Sequence, residues 1–161
     1  MNIFVLSEDP IEAAIMQCDQ HVVKMPLETA QMLCTAYPVE VAPYGRTHFN
    51  HPCNIWLRES RANYEWLIIH GLALCEEYRF RYHKDHKSEE IIYWCWANMD
   101  QLTFNKDEAT PHPIAMDAQY KVGSVVESYR HFYTHSKVRF AKWNNGRSAP
   151  SWWNREDRFV D

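Results

Sequence analysis

The sequence predicts a single all-α domain spanning residues 1–161, and three observations support that prediction. Apolar residues recur at helical spacing, most clearly in the segment that contains Ile55, Trp56, Leu67 and Ile68. Only 4 residues are glycine, which disfavours a tightly turned β fold. Hydrophobic residues make up 46% of the 161 residues, enough to bury one compact core without metal or disulfide cross-links.

The N-terminal part is predicted to form a long, kinked first helix. Residues 2–6 are apolar and suit a short strand or an extended arm. Asp9 and Pro10 have the chemistry of an N-cap and a first helical residue, so the helix is expected from about residue 10 to about residue 36. Pro26 lies inside that range and lacks a backbone N–H, so it is expected to kink the helix or divide it in two.

Three further helices bring the predicted total to about four. A proline-containing polar segment, residues 37–53, is expected to be a loop. The second helix is predicted over residues 53–83, the third from about residue 88, and the last over about 123–136. The remaining C-terminal segment is rich in tryptophan and has little periodicity, so it is expected to lie over the helices as an irregular aromatic tail.

The cysteine pattern and the lack of a long apolar stretch indicate the cellular compartment. The 5 cysteines include no Cys-x-x-Cys pair, which argues against a disulfide framework and a zinc site. The first residues lack the basic region of a signal peptide, and no stretch approaches the roughly 20 apolar residues that span a bilayer. We therefore expect a soluble, cytoplasmic protein with reduced thiols and no membrane contact.

Charge is unevenly distributed along the chain. The net charge of -4 argues against a general nucleic-acid binder, which is usually basic. Residues 137–161, however, hold six Lys or Arg against three Asp or Glu, a local balance of +3 that leaves -7 on the rest of the chain. Cations and flat rings together suit phosphate neutralisation and base stacking, so Lys142, Trp143, Trp152 and Trp153 are candidate DNA contacts. The alternative is that these tryptophans cover the core.

Four polar side chains share one face of the predicted first helix. His21, Lys24, Glu28 and Gln31 are offset by 3, 7 and 10 positions, which places them on one side of a helix. Such a face is either the floor of a site or a solvated surface. In the second case Lys24 and Glu28 form an i, i+4 pair worth only about 0.2–0.5 kcal/mol.

The spacing of Asp19-Gln20-His21 and Glu28 resembles the first helix of the pyrimidine-dimer DNA glycosylases, the phage endonuclease V family. The His51-Pro52 start of a long helix and the aromatic, basic tail at 139–153 are also similar to that family, and the resemblance covers about half of the chain. The amino-acid sequence of the first motif also resembles that of small proteins of tailed phages. The resemblance implies a small all-α enzyme of a phage-infected cell, in which Glu28 is the catalytic glutamate.

Two departures from the family pattern concern the amine nucleophile. The family attacks the sugar with an N-terminal α-amine that methionine removal exposes on a small residue. Here Asn2 is too large for efficient removal, so the free amine would belong to Met1. Leu27 and Gln31 also stand where the family places arginines. These departures weigh against lyase activity and leave Lys24 as an alternative amine nucleophile.

Further residues are assigned around Glu28. A carboxylate stabilises the oxocarbenium-like sugar of N-glycosidic cleavage, and His21 or Lys24 could set its ionisation. Helix packing could bring Arg58 and Asn63 towards Glu28, although a satisfied buried network is the alternative. His51 is expected to contact substrate or to cap a loop that borders the site. The histidines near residues 48–51 match no metal-binding spacing, so neither a metal nor another cofactor is expected.

Three functions follow in order of preference. The first is a DNA glycosylase-like enzyme that hydrolyses an N-glycosidic bond in damaged or modified DNA. The second is a glycosidic or phosphoester hydrolase that acts on a free nucleotide, which suits the acidic net charge. The third is a non-catalytic phage protein that binds a host factor through its aromatic tail; it would gain if Glu28 were buried and paired with no open cavity beside it.

Overall fold

A computed structural model describes residues 1–153 and contains six α-helices and no β-strand within that part of the chain. The helices are α1 (Pro10–Ile15), α2 (Asp19–Thr35), α3 (Pro52–Glu59), α4 (Arg61–Tyr82), α5 (Glu89–Ala97) and α6 (Val125–Ser136). Short 3-10 turns occupy Met99–Gln101 and Ala118–Tyr120. The all-α prediction is confirmed, with six helices where about four were expected.

The central helix is α4, which packs against α1, α2, α3 and α5. Its inward side chains include Leu67 and Leu74, both fully buried, and burial of such a side chain is worth about 1.5–3 kcal/mol. Gly71 lies where the helices approach most closely, because a Cβ there would meet Thr29 Cγ2 at 2.9 Å and Ile92 Cδ1 at 3.0 Å. A glycine on α4 therefore lets α2 and α5 pack closely against it.

The long first helix of the prediction is wrong, because the chain breaks at residues 16–18 and α2 runs on through Pro26. Tertiary partners take up the backbone groups at the break. Arg81 Nη1 and Nη2 donate to the carbonyls of Gln17 and Ile15, each at 2.8 Å. The N–H of Asp19 donates to the carbonyl of Lys142 at 2.9 Å. Buried backbone groups with such partners need no continuous helix to satisfy them.

The predicted helix over residues 53–83 is also divided, at Ser60. This residue has extended backbone, with φ -146° and ψ 155°, and its hydroxyl accepts from the N–H of Asn63 at 3.0 Å. The serine thus acts as the N-cap of α4. Asp9 caps α1 as predicted, since its Oδ1 accepts from the N–H groups of Ile11 at 2.8 Å and Glu12 at 3.1 Å.

The N-terminal arm and residues 137–153 pack against α2 and α6. Residues 2–6 form a buried irregular arm, not a strand. Residues 137–153 have no helix, as predicted for the tail, and the charged side chains of Arg155, Glu156, Asp157, Arg158 and Asp161 lie outside the described residues. All five cysteines are buried free thiols. No described helix is long and apolar enough to cross a membrane.

Candidate active site at Glu28

A cavity of about 320 Å³ lies where α2 faces the N-terminal arm and the end of α6. We call it the Glu28 cavity. Its walls combine titratable groups with aromatic rings, and the lining residues are Met1, Asn2, Phe4, Gln20, His21, Lys24, Met25, Glu28, Phe132, Lys137 and Phe140. Three of the four residues on the polar face of α2 therefore lie at one cavity, while Gln31 is half-buried and lies outside its lining.

Glu28 stands between two cationic groups. Its Oε1 is 3.4 Å from the α-amine of Met1, and its Oε2 is 3.7 Å from Lys24 Nζ. The two cations differ in how firmly they are held, because the Met1 side chain is 4% exposed and that of Lys24 is 67% exposed. The amine of the first residue is thus the better-positioned neighbour of the carboxylate.

Hydrogen bonds of Asn2 fix the arm that carries this amine. Its Nδ2 donates to the carbonyl of Ala115 at 2.8 Å, and its Oδ1 accepts from the Tyr129 hydroxyl at 2.7 Å. The next residues are buried, and Phe4 has a left-handed φ of 61°, which residues other than glycine rarely adopt. Sequence reasoning considered Asn2 only as an obstacle to methionine removal and missed this anchoring role.

His21 is a neutral member of the cavity wall. The ring is 5% exposed and stacks on Phe4 with centroids 4.2 Å apart. Burial, with a contribution from the nearby ammonium groups of Lys137 and Lys24, lowers the pKa of His21 to about 3. At neutral pH the imidazole is therefore uncharged, so it does not act on Glu28 as a cation.

Lys137 is a cavity residue that sequence reasoning did not select. It caps the C-terminus of α6, and its Nζ lies over three rings, 4.7 Å from the centroid of Phe132, 5.8 Å from Phe4 and 5.9 Å from Phe140. Burial and the charge of Lys24 lower the pKa of Lys137. The cavity therefore gathers three amines around one carboxylate in a chain of net charge -4.

The second-helix candidates lie outside the Glu28 cavity. Arg58 lies over the Phe49 ring at 3.8 Å and donates from Nη2 to the Phe49 carbonyl at 2.9 Å. Asn63 is buried, and its Nδ2 donates to the carbonyl of Trp56 at 2.9 Å and to Thr110 Oγ1 at 2.7 Å. The structure therefore does not bring these two side chains to Glu28, and Asn63 belongs to the satisfied network that was the alternative.

His51 caps a helix beside the site. Its Nδ1 accepts from the N–H of Cys53 at 3.1 Å, which makes it the N-cap of α3. Burial lowers the pKa of His51, and the positive charge of the N-terminal amine adds to that effect. The capping role was one of the two predicted for this residue.

The tryptophans of the aromatic tail pack on the helices and do not line the Glu28 cavity, whereas Phe140 of the same segment does. Trp143 Nε1 donates to the carbonyl of Met16 at 3.2 Å, and Trp152 Nε1 lies 3.5 Å from its sulfur. Both rings, together with Trp153, pack around Tyr133. Lys142 is exposed and contributes its carbonyl to the start of α2. The tail tryptophans thus pack at the junction of α1 and α2 and stay partly exposed, and their contact with DNA remains a prediction.

Metal-binding groups were sought in the same part of the chain. Within residues 1–153 no cluster of three or more His, Cys, Asp or Glu side chains is arranged to hold a metal ion. The titratable groups of the Glu28 cavity are instead amines, one carboxylate and one imidazole. This set suits proton transfer and amine chemistry.

Comparison with known proteins gives one match. A family model described as pyrimidine dimer DNA glycosylase matches residues 1–90. That range includes the arm, His21, Lys24 and Glu28, whereas Phe132, Lys137 and Phe140 follow it. Searches of curated proteins and of solved structures return no match. Because the matched range is more than half of the chain, this protein belongs to the pyrimidine dimer DNA glycosylase family.

Proposed function

We propose that this protein is a DNA glycosylase that cleaves the N-glycosidic bond of a damaged pyrimidine in the Glu28 cavity. The observation that carries the proposal is the 3.4 Å separation between the Met1 α-amine and Glu28 Oε1 at the wall of an open cavity. A nucleophile and a carboxylate within reach of each other are the two groups that displacement at the sugar requires.

The proposed reaction begins with deprotonation of the amine. Glu28 accepts a proton from the Met1 ammonium, and the freed electron pair attacks C1′ of the deoxyribose. A bond forms between the amine nitrogen and C1′ as the C1′–N1 bond breaks, and its electron pair leaves with the pyrimidine. The new secondary ammonium gives one proton to the released pyrimidine anion. Its freed electron pair then forms a double bond to C1′ as the C1′–O4′ bond breaks, and the protonated Glu28 returns its proton to O4′. The product is a protonated imine on an opened sugar, from which strand cleavage by elimination can follow.

The Met1 amine is proposed as the nucleophile in preference to Lys24. A nucleophile that the protein already holds in position reacts faster, because less entropy is lost in orienting it for attack. The buried arm and the bonds of Asn2 hold the Met1 nitrogen, whereas the Lys24 side chain is 67% exposed and is not fixed by packing. Lyase activity is therefore part of the proposal, despite the large second residue.

DNA is preferred over a free nucleotide because of the local charge. The net charge of -4 favours the nucleotide, but the amines of Met1, Lys24 and Lys137 surround a single carboxylate at the cavity. These amines can meet phosphates that flank a lesion. The host-factor alternative would gain from a buried, paired Glu28 with no open cavity beside it; Glu28 is paired but lines a cavity of about 320 Å³.

The experiment measures free base released from irradiated and unirradiated duplex DNA, alongside a nucleotide panel. Glu28→Gln is expected to reduce release from irradiated duplex by at least about 100-fold, since it removes the group that accepts the proton of the Met1 amine. Glu65→Gln, on the exposed side of α4, is the matched control and should retain activity. Equal release by wild type and Glu28→Gln would reject the proposal, as would release from nucleotides alone.

A further inference from the structure

The hydroxyl of Tyr133 lies between α2 and α6 and contacts three groups. It accepts from the N–H of Cys18 at 3.2 Å, lies 2.5 Å from His21 Nδ1, and lies 3.6 Å from Cys18 Sγ. Tyr133 is fully buried, and burial keeps its pKa well above the usual range. The hydroxyl thus retains one proton, which can be donated in one direction.

That proton has two possible acceptors, and their quality differs. His21 Nδ1 is the nearer, and an imidazole nitrogen is a stronger acceptor than a thiol sulfur. Donation to Nδ1 makes that nitrogen the acceptor of the ring. Because the imidazole is neutral, its single N–H must then be on Nε2.

The second ring nitrogen is available to the cavity. His21 lines the Glu28 cavity, and its hydrogen bond to Tyr133 uses Nδ1, so within residues 1–153 no hydrogen bond is found at Nε2. Phe4, stacked at 4.2 Å, and Phe140, at 5.5 Å, limit rotation of the ring. An N–H held at a fixed place in a polar cavity is a hydrogen-bond donor without a partner in the protein.

We propose that Tyr133 is a positioning residue that holds His21 in the tautomer with its proton on Nε2, so that His21 donates a hydrogen bond to the departing pyrimidine. This inference rests on the proposed function for the identity of the acceptor. Cleavage of the C1′–N1 bond leaves its electron pair on the base, where it is shared with the O2 carbonyl. A donor aimed at O2 stabilises that charge and keeps its own proton, so no proton transfer is required.

The charge of the cavity makes an uncharged donor useful. Protonation of His21 would add a fourth cation beside the amines of Met1, Lys24 and Lys137, and these like charges would repel one another. A neutral Nε2–H supplies the hydrogen bond without that repulsion. Tyr133 follows the range matched by the family model, as do Phe132, Lys137 and Phe140, so the C-terminal part of the chain completes the cavity.

The test combines a spectroscopic readout with kinetics. The nitrogen shifts of ¹⁵N-labelled His21 in the wild-type protein at neutral pH should show the Nε2–H tautomer. Tyr133→Phe should lose this pattern and lower kcat for base release roughly ten-fold with little change in KM, since the donor acts on the leaving base. Tyr37→Phe removes another buried hydroxyl, which donates to the Cys95 carbonyl at 3.1 Å, and should change neither readout.

The outcomes separate this inference from the proposed function. A wild-type spectrum with the proton on Nδ1 overturns the inference even if Tyr133→Phe does not fold. An unchanged tautomer and kcat in folded Tyr133→Phe also overturn it. If the wild-type protein shows the Nε2–H tautomer but releases no base, the proposed function fails while the role of Tyr133 in fixing the ring stands.

Discussion

The α-amine of Met1 lies 3.4 Å from Glu28 Oε1, and the arm that carries it is buried over residues 2–6. Ordering this arm is opposed by conformational entropy, because fixing the backbone of each residue costs about 1–2 kcal/mol of free energy. Its burial against α2 and α6, and the hydrogen bonds of Asn2, offset that cost. The packing of the arm thus determines where the amine stands relative to the carboxylate.

Removal of the Lys137 charge should weaken binding to DNA of any sequence. Lys137→Met keeps much of the side chain's apolar volume against Phe132 but deletes one cation of the Glu28 cavity. If this ammonium neutralises a phosphate, the slope of log K against log salt should fall in magnitude by about 1. Fluorescence anisotropy with a labelled duplex at several salt concentrations measures that slope.

The matched control for this experiment is Lys106→Met. Lys106 is an exposed lysine that pairs with Glu59 at 3.6 Å and lies outside the Glu28 cavity. Its loss should leave the salt slope unchanged. A wild-type slope in Lys137→Met would show that this lysine makes no phosphate contact.

Replacement of Arg81 should lower the free energy of unfolding by more than replacement of an exposed arginine. The side chain is fully buried and reaches Asp19 Oδ1 at 3.1 Å and Glu77 Oε1 at 3.0 Å, as well as the carbonyls of Ile15 and Gln17. Arg81→Met would remove the buried cation that lies between Asp19 and Glu77. Arg147 still pairs with Glu77 at 2.7 Å, but loss of the shared partner is expected to cost about 3–5 kcal/mol of unfolding free energy. Urea denaturation monitored by circular dichroism measures the loss.

Arg79→Met is the comparison variant for Arg81→Met. Arg79 bonds to Glu76, Asp85 and Glu89, but its pairs lie near the surface, where water screens them. Its replacement should therefore cost much less. Similar losses in the two variants would mean that the buried network does not hold the junction of α1 and α2.

Stability should fall as the pH drops from about 6.5 to about 4. Burial lowers the pKa of His21 to about 3 and those of His70 and His112 to about 4. In the unfolded chain these histidines bind protons below about 6.5, so in this window the unfolded state binds more protons and is favoured by acid. By the low end of the window, each histidine lowers the free energy of unfolding by on the order of 3 kcal/mol.

Urea unfolding at pH 7 and pH 4.5 measures this dependence. His83, which is exposed beyond α4, provides a control, because His83→Gln should keep the same pH dependence as the wild type. His112→Gln should reduce it. An unfolding free energy that is constant between the two pH values would contradict the assignment of these histidines as neutral in the folded protein.

Local patterns predicted the fold class, the N-cap Asp9 and the helix face that bears His21, Lys24 and Glu28. These features depend on spacing and on neighbours along the chain, and a sequence displays both. The helix breaks at residues 16–18 and at Ser60 were not predictable in the same way. At the first break, partners as distant in sequence as Arg81 and Lys142 satisfy the backbone groups that a continuous helix would use.

The site shows the same division between local and distant information. Lys137 lines the cavity and Tyr133 contacts His21 only because α6 folds back onto α2, which no periodicity reveals. The tail tryptophans have the composition of a stacking platform, yet Trp143 and Trp152 bond to Met16 at the junction of α1 and α2. Their composition is compatible with both roles, and only the position of the tail distinguishes them.

The most direct test of the central claim traps the imine and locates it. Protein whose intact mass shows a retained Met1 is incubated with irradiated duplex DNA and borohydride, and the cross-linked peptide is identified by mass spectrometry. We expect an adduct on the Met1 α-amine, unchanged in Lys24→Met and lost in Glu28→Gln. An adduct on Lys24, or free base released without any adduct, would contradict the assignment of the Met1 amine as the nucleophile.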